Sequence, residues 1–216
     1  MKKFTMRRLV ALGIAAVGMA PAFSAASAAP VEIVALGDSL TAGYGLAPSE
    51  AFPEQLEAAL LERGHDVTVA NAGVSGDTAA DGLARLAWSV PAEADIVIVE
   101  LGANDALRGL DPAVTREALS QIVATLKGRG QAVLLAGMLA PRNLDDSYAA
   151  AFDRIYPDLA EEQGVALYPF FLAGVAAEAG LNQPDGVHPT AAGVARIVKS
   201  ILPEVERLVA GAAAGG

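Results

Sequence analysis

Residues 96–105 read Ile-Val-Ile-Val-Glu-Leu-Gly-Ala-Asn-Asp, and their order decides the fold class. Four β-branched residues in succession, with no polar residue alternating among them, suit a strand covered on both faces, as in a parallel sheet. Four further short apolar runs stand at Val31 to Leu36, Val67 to Ala70, Ala132 to Ala136 and Val165 to Tyr168. Helical spacing fills the gaps between them. Phe52, Leu56, Ala59 and Leu60 share one face, with Ser49 placed as N-cap, and a weaker pattern spans about 78–89. Asp111-Pro112 opens a helix carrying Val114, Ala118, Ile122 and Leu126, closed by Gly128 and Gly130. Phe152, Ile155 and Leu159 mark another, disturbed by Pro157. Val194, Ile197, Val198 and Ile201 mark the last, kinked or ended near Pro203. Alternating strand and helix predict an α/β chain, a three-layer α/β/α sandwich around a five-stranded, mostly parallel sheet. One domain is expected over 29–209, followed by a frayed Ala/Gly tail at 210–216.

The first 28 residues carry a different signal. Lys2, Lys3, Arg7 and Arg8 precede an apolar run from Leu9 to Ala20, and small residues lead to Ala26-Ser27-Ala28. Basic start, short apolar middle and small-residue end are the three parts of a secretory signal peptide, and the run is shorter than the ~20 residues of a membrane span. Cleavage after Ala28 would remove four of the 15 basic residues and none of the 25 acids, leaving 11 against 25, a net charge of −14. That balance argues against nucleic acid and anionic membrane surfaces as partners. There is no cysteine, which excludes disulfides, thiol chemistry, cysteine-bound metals and a lipid-modified cysteine.

In α/β folds ligands bind beyond the carboxyl ends of the strands, so the residues after each run matter most. They are Gly37-Asp38-Ser39-Leu40, then Asn71-Ala72-Gly73-Val74-Ser75-Gly76-Asp77, then Gly102-Ala103-Asn104-Asp105. Asp185-Gly186-Val187-His188-Pro189 stands before the last helix. A serine hydroxyl becomes a nucleophile when a base removes its proton, and imidazole is the usual base. Of the two histidines, His65 falls in a helix-to-strand loop at the opposite end of the sheet, which reads as surface. His188 lies on the strand-end side and is the candidate base for Ser39. Asp185 could orient its ring, although Asp-Gly is equally a common turn pair. The Ser39 and Gly73 N–H groups and the Asn104 amide could stabilise an oxyanion; Gly73 could equally serve a tight turn and Asn104 a loop cap. Ser75 is a rival nucleophile, but Asp77 stands where a Gly-x-Ser-x-Gly elbow needs its last glycine. A non-catalytic binding protein would rest on Gly43-Tyr44-Gly45 as a phosphate loop, where Pro48 takes the place of the third glycine.

Together these segments resemble the four blocks of the SGNH (GDSL) hydrolases. The likeness is to their bacterial periplasmic thioesterase I, lysophospholipase L1 and arylesterase-like subgroup, and it covers nearly all of the chain after residue 28. Gly82-Leu83-Ala84-Arg85-Leu86, Glu100-Leu101, Ala151 to Leu159 and Tyr168-Pro169-Phe170-Phe171 extend it. Ala103 departs from the pattern, where a second glycine is common. The resemblance implies a flavodoxin-like SGNH fold, Ser39 as nucleophile, His188 as base and Asp185 as its orienting acid. It also implies an oxyanion hole from Ser39, Gly73 and Asn104, and neither metal nor organic cofactor. The implied activity is carboxylic ester hydrolysis in the periplasm, on aryl or short-to-medium acyl esters, thioesters or lysophospholipids, with carbohydrate O-deacetylation as the alternative. The expected partner is then a small-molecule or lipid ester, with no stable membrane insertion and a monomer as the default. The loop from Met138 to Leu144 is expected to wall an acyl pocket, with Ser75, Leu107, Met138, Leu139, Pro141 and Val187 lining it.

Overall fold

The computed structural model describes residues 1–3 and 29–215; the signal-peptide reading lies almost entirely outside them. In chain order the elements are β1 (Val31–Gly37), α1 (Ser39–Ala42), α2 (Phe52–Glu62), β2 (Val67–Gly73), α3 (Ala79–Ser89), β3 (Ile96–Glu100) and α4 (Ala103–Leu107). There follow α5 (Pro112–Gly128), β4 (Ala132–Ala136), α6 (Asp146–Asp153), α7 (Ile155–Gln163), β5 (Ala166–Tyr168) and α8 (Ala191–Gly215). All five strands pair in parallel, in the order β2-β1-β3-β4-β5. Every residue of β3 is buried, as its unbroken apolar run requires.

The chain steps from β1 to β2 in one direction, then crosses back over β1 to β3, β4 and β5. Parallel crossovers are right-handed, so this reversal puts α2 on one face and α3, α5 and α7 on the other. The contacts agree: α2 packs with α8 on one side, and α3 with α5 and α5 with α7 on the other. The reversal lies between β1 and β3, where a crevice opens at the strand ends. In the sheet register Gly37 pairs with both Gly73 and Glu100, so the three segments that follow leave from one row.

Several local expectations hold and others are corrected. Asp111 caps α5, with Pro112 in its first turn. Arg154 separates α6 from α7, and Pro157 falls in the first turn of α7, where no intrahelical N–H bond is needed. Ser49 does not cap α2; it sits in a 3₁₀ turn, Pro48–Glu50, and the N-cap is Ala51. Pro203 does not end α8. Ile201, Leu202, Val205 and Val209 are buried on both sides of it, and that burial outweighs the roughly 3 kcal/mol a mid-helix proline costs. Residues 210–215 continue α8 rather than leaving it, as alanine's high helix propensity favours. No helix among the described residues is long and apolar enough to cross a membrane.

Candidate active site

Ser39 is the first residue of α1, and Asp38 caps that helix by accepting the Leu40 N–H at 3.0 Å. The hydroxyl therefore stands at the mouth of the crevice on a backbone fixed by the end of β1. Asp185 and His188 belong to a small loop closed by an antiparallel bridge between Asn182 and Pro189, with Gly186 at its tip. The imidazole Nε2 lies 2.9 Å from Ser39 Oγ, and Nδ1 lies 2.7 Å from Asp185 Oδ2. Asp185 Oδ1 accepts the N–H groups of Val187 at 2.9 Å and His188 at 3.0 Å. These bonds, first the His188 backbone and then its ring, hold the Asp185 carboxyl at about 2. An ionised carboxylate here keeps the proton on Nδ1 and leaves Nε2 as an acceptor facing the serine. The turn made by Asp185 and the orientation of His188 are thus one structure. His65 lies elsewhere, 3.1 Å from Glu206 of α8.

Gly73 owes its residue type to a close approach: a Cβ there would fall 2.3 Å from Ala42 N. Its N–H donates to Asn71 Oδ1 at 3.1 Å. The Asn104 amide donates to Asp38 Oδ2 and to the Asp77 carbonyl, both at 3.0 Å. The Gly73 backbone N–H and the Asn104 side-chain amide are therefore both engaged within the protein. Arg85, 8% exposed, pins this corner by bonding Asp77 Oδ2 at 2.6 Å and the Gly37 carbonyl at 2.9 Å. Asn71 and Arg85 both lie in segments quoted from the sequence, yet neither is given a role there, although an Asn two residues before a bonded N–H is a known turn signal.

Below Ser39 lies a pair of buried carboxyls. Glu100 Oε2 accepts the Thr41 hydroxyl at 2.7 Å and the Asp38 N–H at 3.4 Å. Burial pushes the Asp38 carboxyl up to about 6, against the opposing pull of Leu40 N–H and Asn104. Burial, and then the Asp38 charge, hold Glu100 well above the ordinary carboxylate range. Two fully buried carboxyls side by side cannot both ionise cheaply.

A cavity of about 530 Å³ opens from Ser39 and His188, within the range of small-molecule sites. Leu107, Met138, Leu139, Pro141 and Val187 line it, joined by Phe170 and Leu172. Leu107, Leu139 and Val187 are partly exposed at its rim. Ser75 is not among the lining residues: it sits exposed in the turn after β2. Arg108 bonds the Gly76 carbonyl and Arg85 bonds Asp77, which tie the flanks of that turn and leave Ser75 facing solvent.

Comparison with known proteins adds the relatives. The GDSL-like lipase/acylhydrolase family model matches residues 35–196. An arylesterase of Vibrio mimicus is 44% identical over 77% of this chain and 84% of its own. The thioesterase 1/protease 1/lysophospholipase L1 of Escherichia coli K12 is 41% identical over 76% of this chain and 77% of its own. The crystal structure of AlinE4, an SGNH-hydrolase family esterase, superposes with a TM-score of 0.71 at 47% identity, covering 84% of this chain and 98% of that one. With the matched model spanning all three strand-end segments and the Asp185–His188 loop, this chain belongs to the GDSL-like lipase/acylhydrolase family.

Proposed function

We propose that Ser39, His188 and Asp185 hydrolyse carboxylic esters through an acyl-enzyme. The hydrogen-bonded chain from Asp185 through His188 to Ser39, at 2.7 and 2.9 Å and opening onto an apolar cavity, carries this reading. Ser39 Oγ attacks the carbonyl carbon while His188 Nε2 takes its proton. The imidazolium passes that proton to the leaving alcohol or thiol. Water, deprotonated by His188, then attacks the acyl carbon, the acyl–Ser39 bond breaks as the imidazolium returns the proton to Ser39 Oγ, and the acid is released. The N–H groups of Ser39 and Gly73 and the Asn104 amide are the proposed oxyanion donors. In the last two, an oxyanion would displace the Asn71, Asp38 and Asp77 acceptors that hold them in the free protein. A donor of this kind typically contributes about 3 kcal/mol to the transition state.

The cavity wall of Leu107, Met138, Leu139, Pro141, Phe170 and Leu172 favours a hydrophobic acyl or aryl group over an acetylated sugar. Aryl esters, thioesters and lysophospholipids all present such a group, as the names of the relatives suggest. The test is hydrolysis of p-nitrophenyl esters from acetate to palmitate by the protein and by Ser39→Ala. Activity abolished in a folded variant supports the reading, and equal rates contradict it. The basic, apolar and small-residue segments of residues 1–28 support export to the periplasm with cleavage after Ala28. N-terminal sequencing of the exported protein should begin at Ala29; an intact Met1 would refute export by this route.

A further inference from the structure

We propose that Gln183 is a positioning residue that locks the nucleophile's turn to the histidine's loop. Its side-chain Nε2 donates to the Tyr44 carbonyl at 2.7 Å and to the Pro189 carbonyl at 2.9 Å. Tyr44 follows α1, the helix that carries Ser39; Pro189 follows His188. Both acceptors are carbonyl oxygens, so the group that serves them together must donate two N–H bonds, as the Gln183 NH₂ does. The backbone of Gln183 ties into the same loop. Its N–H donates to the His188 carbonyl at 2.7 Å, and its carbonyl accepts the Gly186 N–H at 2.9 Å. The turn is shaped to admit the amide: Gly45 has φ +75°, and a Cβ there would fall 2.5 Å from Gln183 Oε1.

The consequence reaches the catalytic ring. Holding the Tyr44 carbonyl fixes the Tyr44 ring, which lies against the His188 imidazole at 4.6 Å between centroids and 36° between planes. Tyr44 is 54% exposed, so little packing besides this contact and the Gln183 bond restrains it. Ser39 and His188 are 149 residues apart and meet at 2.9 Å. Asp185 orients the imidazole within its own loop, while the Gln183 amide joins that loop to the turn after Ser39, beside the more distant tie that Gln55 makes between the Glu50 and Ala191 carbonyls. Misplacing a reacting group by about 1 Å can cost about 10²-fold in rate. Gln183 is half-buried in a loop outside the apolar core, which leaves the fold able to tolerate its replacement.

The proposal rests on Ser39 and His188 reacting as described above, and the test separates the two. Gln183→Met and Gln183→Glu keep the length of the side chain and remove its two donated bonds, the second placing a carboxylate against two carbonyls. Each should lower kcat on a p-nitrophenyl ester about 10- to 100-fold while KM stays within about twofold. Each should also remove the ring-current shift that Tyr44 imposes on the His188 ring protons in the ¹H NMR spectrum. Tyr44→Ala should remove the same shift, and Ser39→Ala should retain it. Adding Tyr44→Ala to Gln183→Met should then cost less than the product of the two separate losses. A ring-current shift or a kcat unchanged in both Gln183 variants overturns the proposal. Loss of the shift in those variants, with a parent protein inactive on every ester, supports the positioning role and refutes the esterase reading instead.

Discussion

Replacing Asp185 by asparagine should damage the enzyme more than replacing it by alanine. The geometry gives the reason. Asp185 Oδ1 is held by the Val187 and His188 N–H groups, and Oδ2 faces His188 Nδ1 at 2.7 Å. An asparagine keeps its carbonyl oxygen on the two N–H groups, since its amide nitrogen cannot accept them. The NH₂ then meets Nδ1, which must become the acceptor, and the proton moves to Nε2. That nitrogen can no longer take the proton of Ser39. The same exchange in a serine-protease triad costs about 10⁴ in kcat, and a loss of about 10³ to 10⁴ is expected here. Alanine imposes no tautomer. The Asp185 side chain is 40% exposed, so water can reach Nδ1 and accept its proton, and the loss should stay near 10². Initial rates on one p-nitrophenyl ester at pH 8, with thermal unfolding as a control for folding, decide the order. Asparagine as active as alanine, or more so, would refute the tautomer argument.

Other expectations follow from the same structure. Each methylene moved from water into the cavity contributes about 0.8 kcal/mol, so kcat/KM should rise up to about fourfold per CH₂ until the cavity fills. A series flat from acetate to octanoate would show that the acyl chain lies elsewhere. Tyr156 is buried and its hydroxyl donates to the Leu101 carbonyl at 2.8 Å; Tyr156→Phe should cost about 1 to 2 kcal/mol and lower Tm by about 4 °C in a chain of this size. An unchanged Tm would contradict a role for that bond. Asp38 has a folded-state pKa of about 6 against an ordinary 3.8, so the folded chain binds its proton more tightly than the unfolded one. Its contribution to stability is therefore greatest in acid and declines as pH rises from about 4 through 6. Asp38→Asn should flatten that decline in Tm against pH, and an unchanged slope would show that Asp38 ionises normally. Asp185 acts in the opposite sense: its contribution holds above about pH 4 and is lost as pH falls toward 2.

Much of the fold was legible because burial writes a simple pattern. Ile96 to Val99 are apolar without alternation because β3 is covered on both faces, and the strand ends then singled out Ser39, Gly73 and Asn104 as candidates. His188 followed by elimination, since the only other histidine stands at the far end of the sheet. What the sequence could not disclose were relations between distant residues. Gln183 meets Tyr44 across 139 positions, and Arg85 meets Gly37 across 48, and no spacing encodes either. Gly73 was ambiguous because the approach that demands it, Ala42 N, belongs to another element. Whether Pro203 ended the helix was not legible because its local cost is visible in sequence, whereas the burial that offsets it depends on packing against the rest of the fold.

The central claim is that Ser39 is the nucleophile. Its most direct test is covalent labelling by a fluorophosphonate, with the modified peptide identified by mass spectrometry. One adduct per chain on Ser39, formed at a rate that falls sharply in His188→Ala and absent in Ser39→Ala, is the predicted result. Labelling of Ser75 instead, or no labelling of a folded protein at any concentration, would contradict the account.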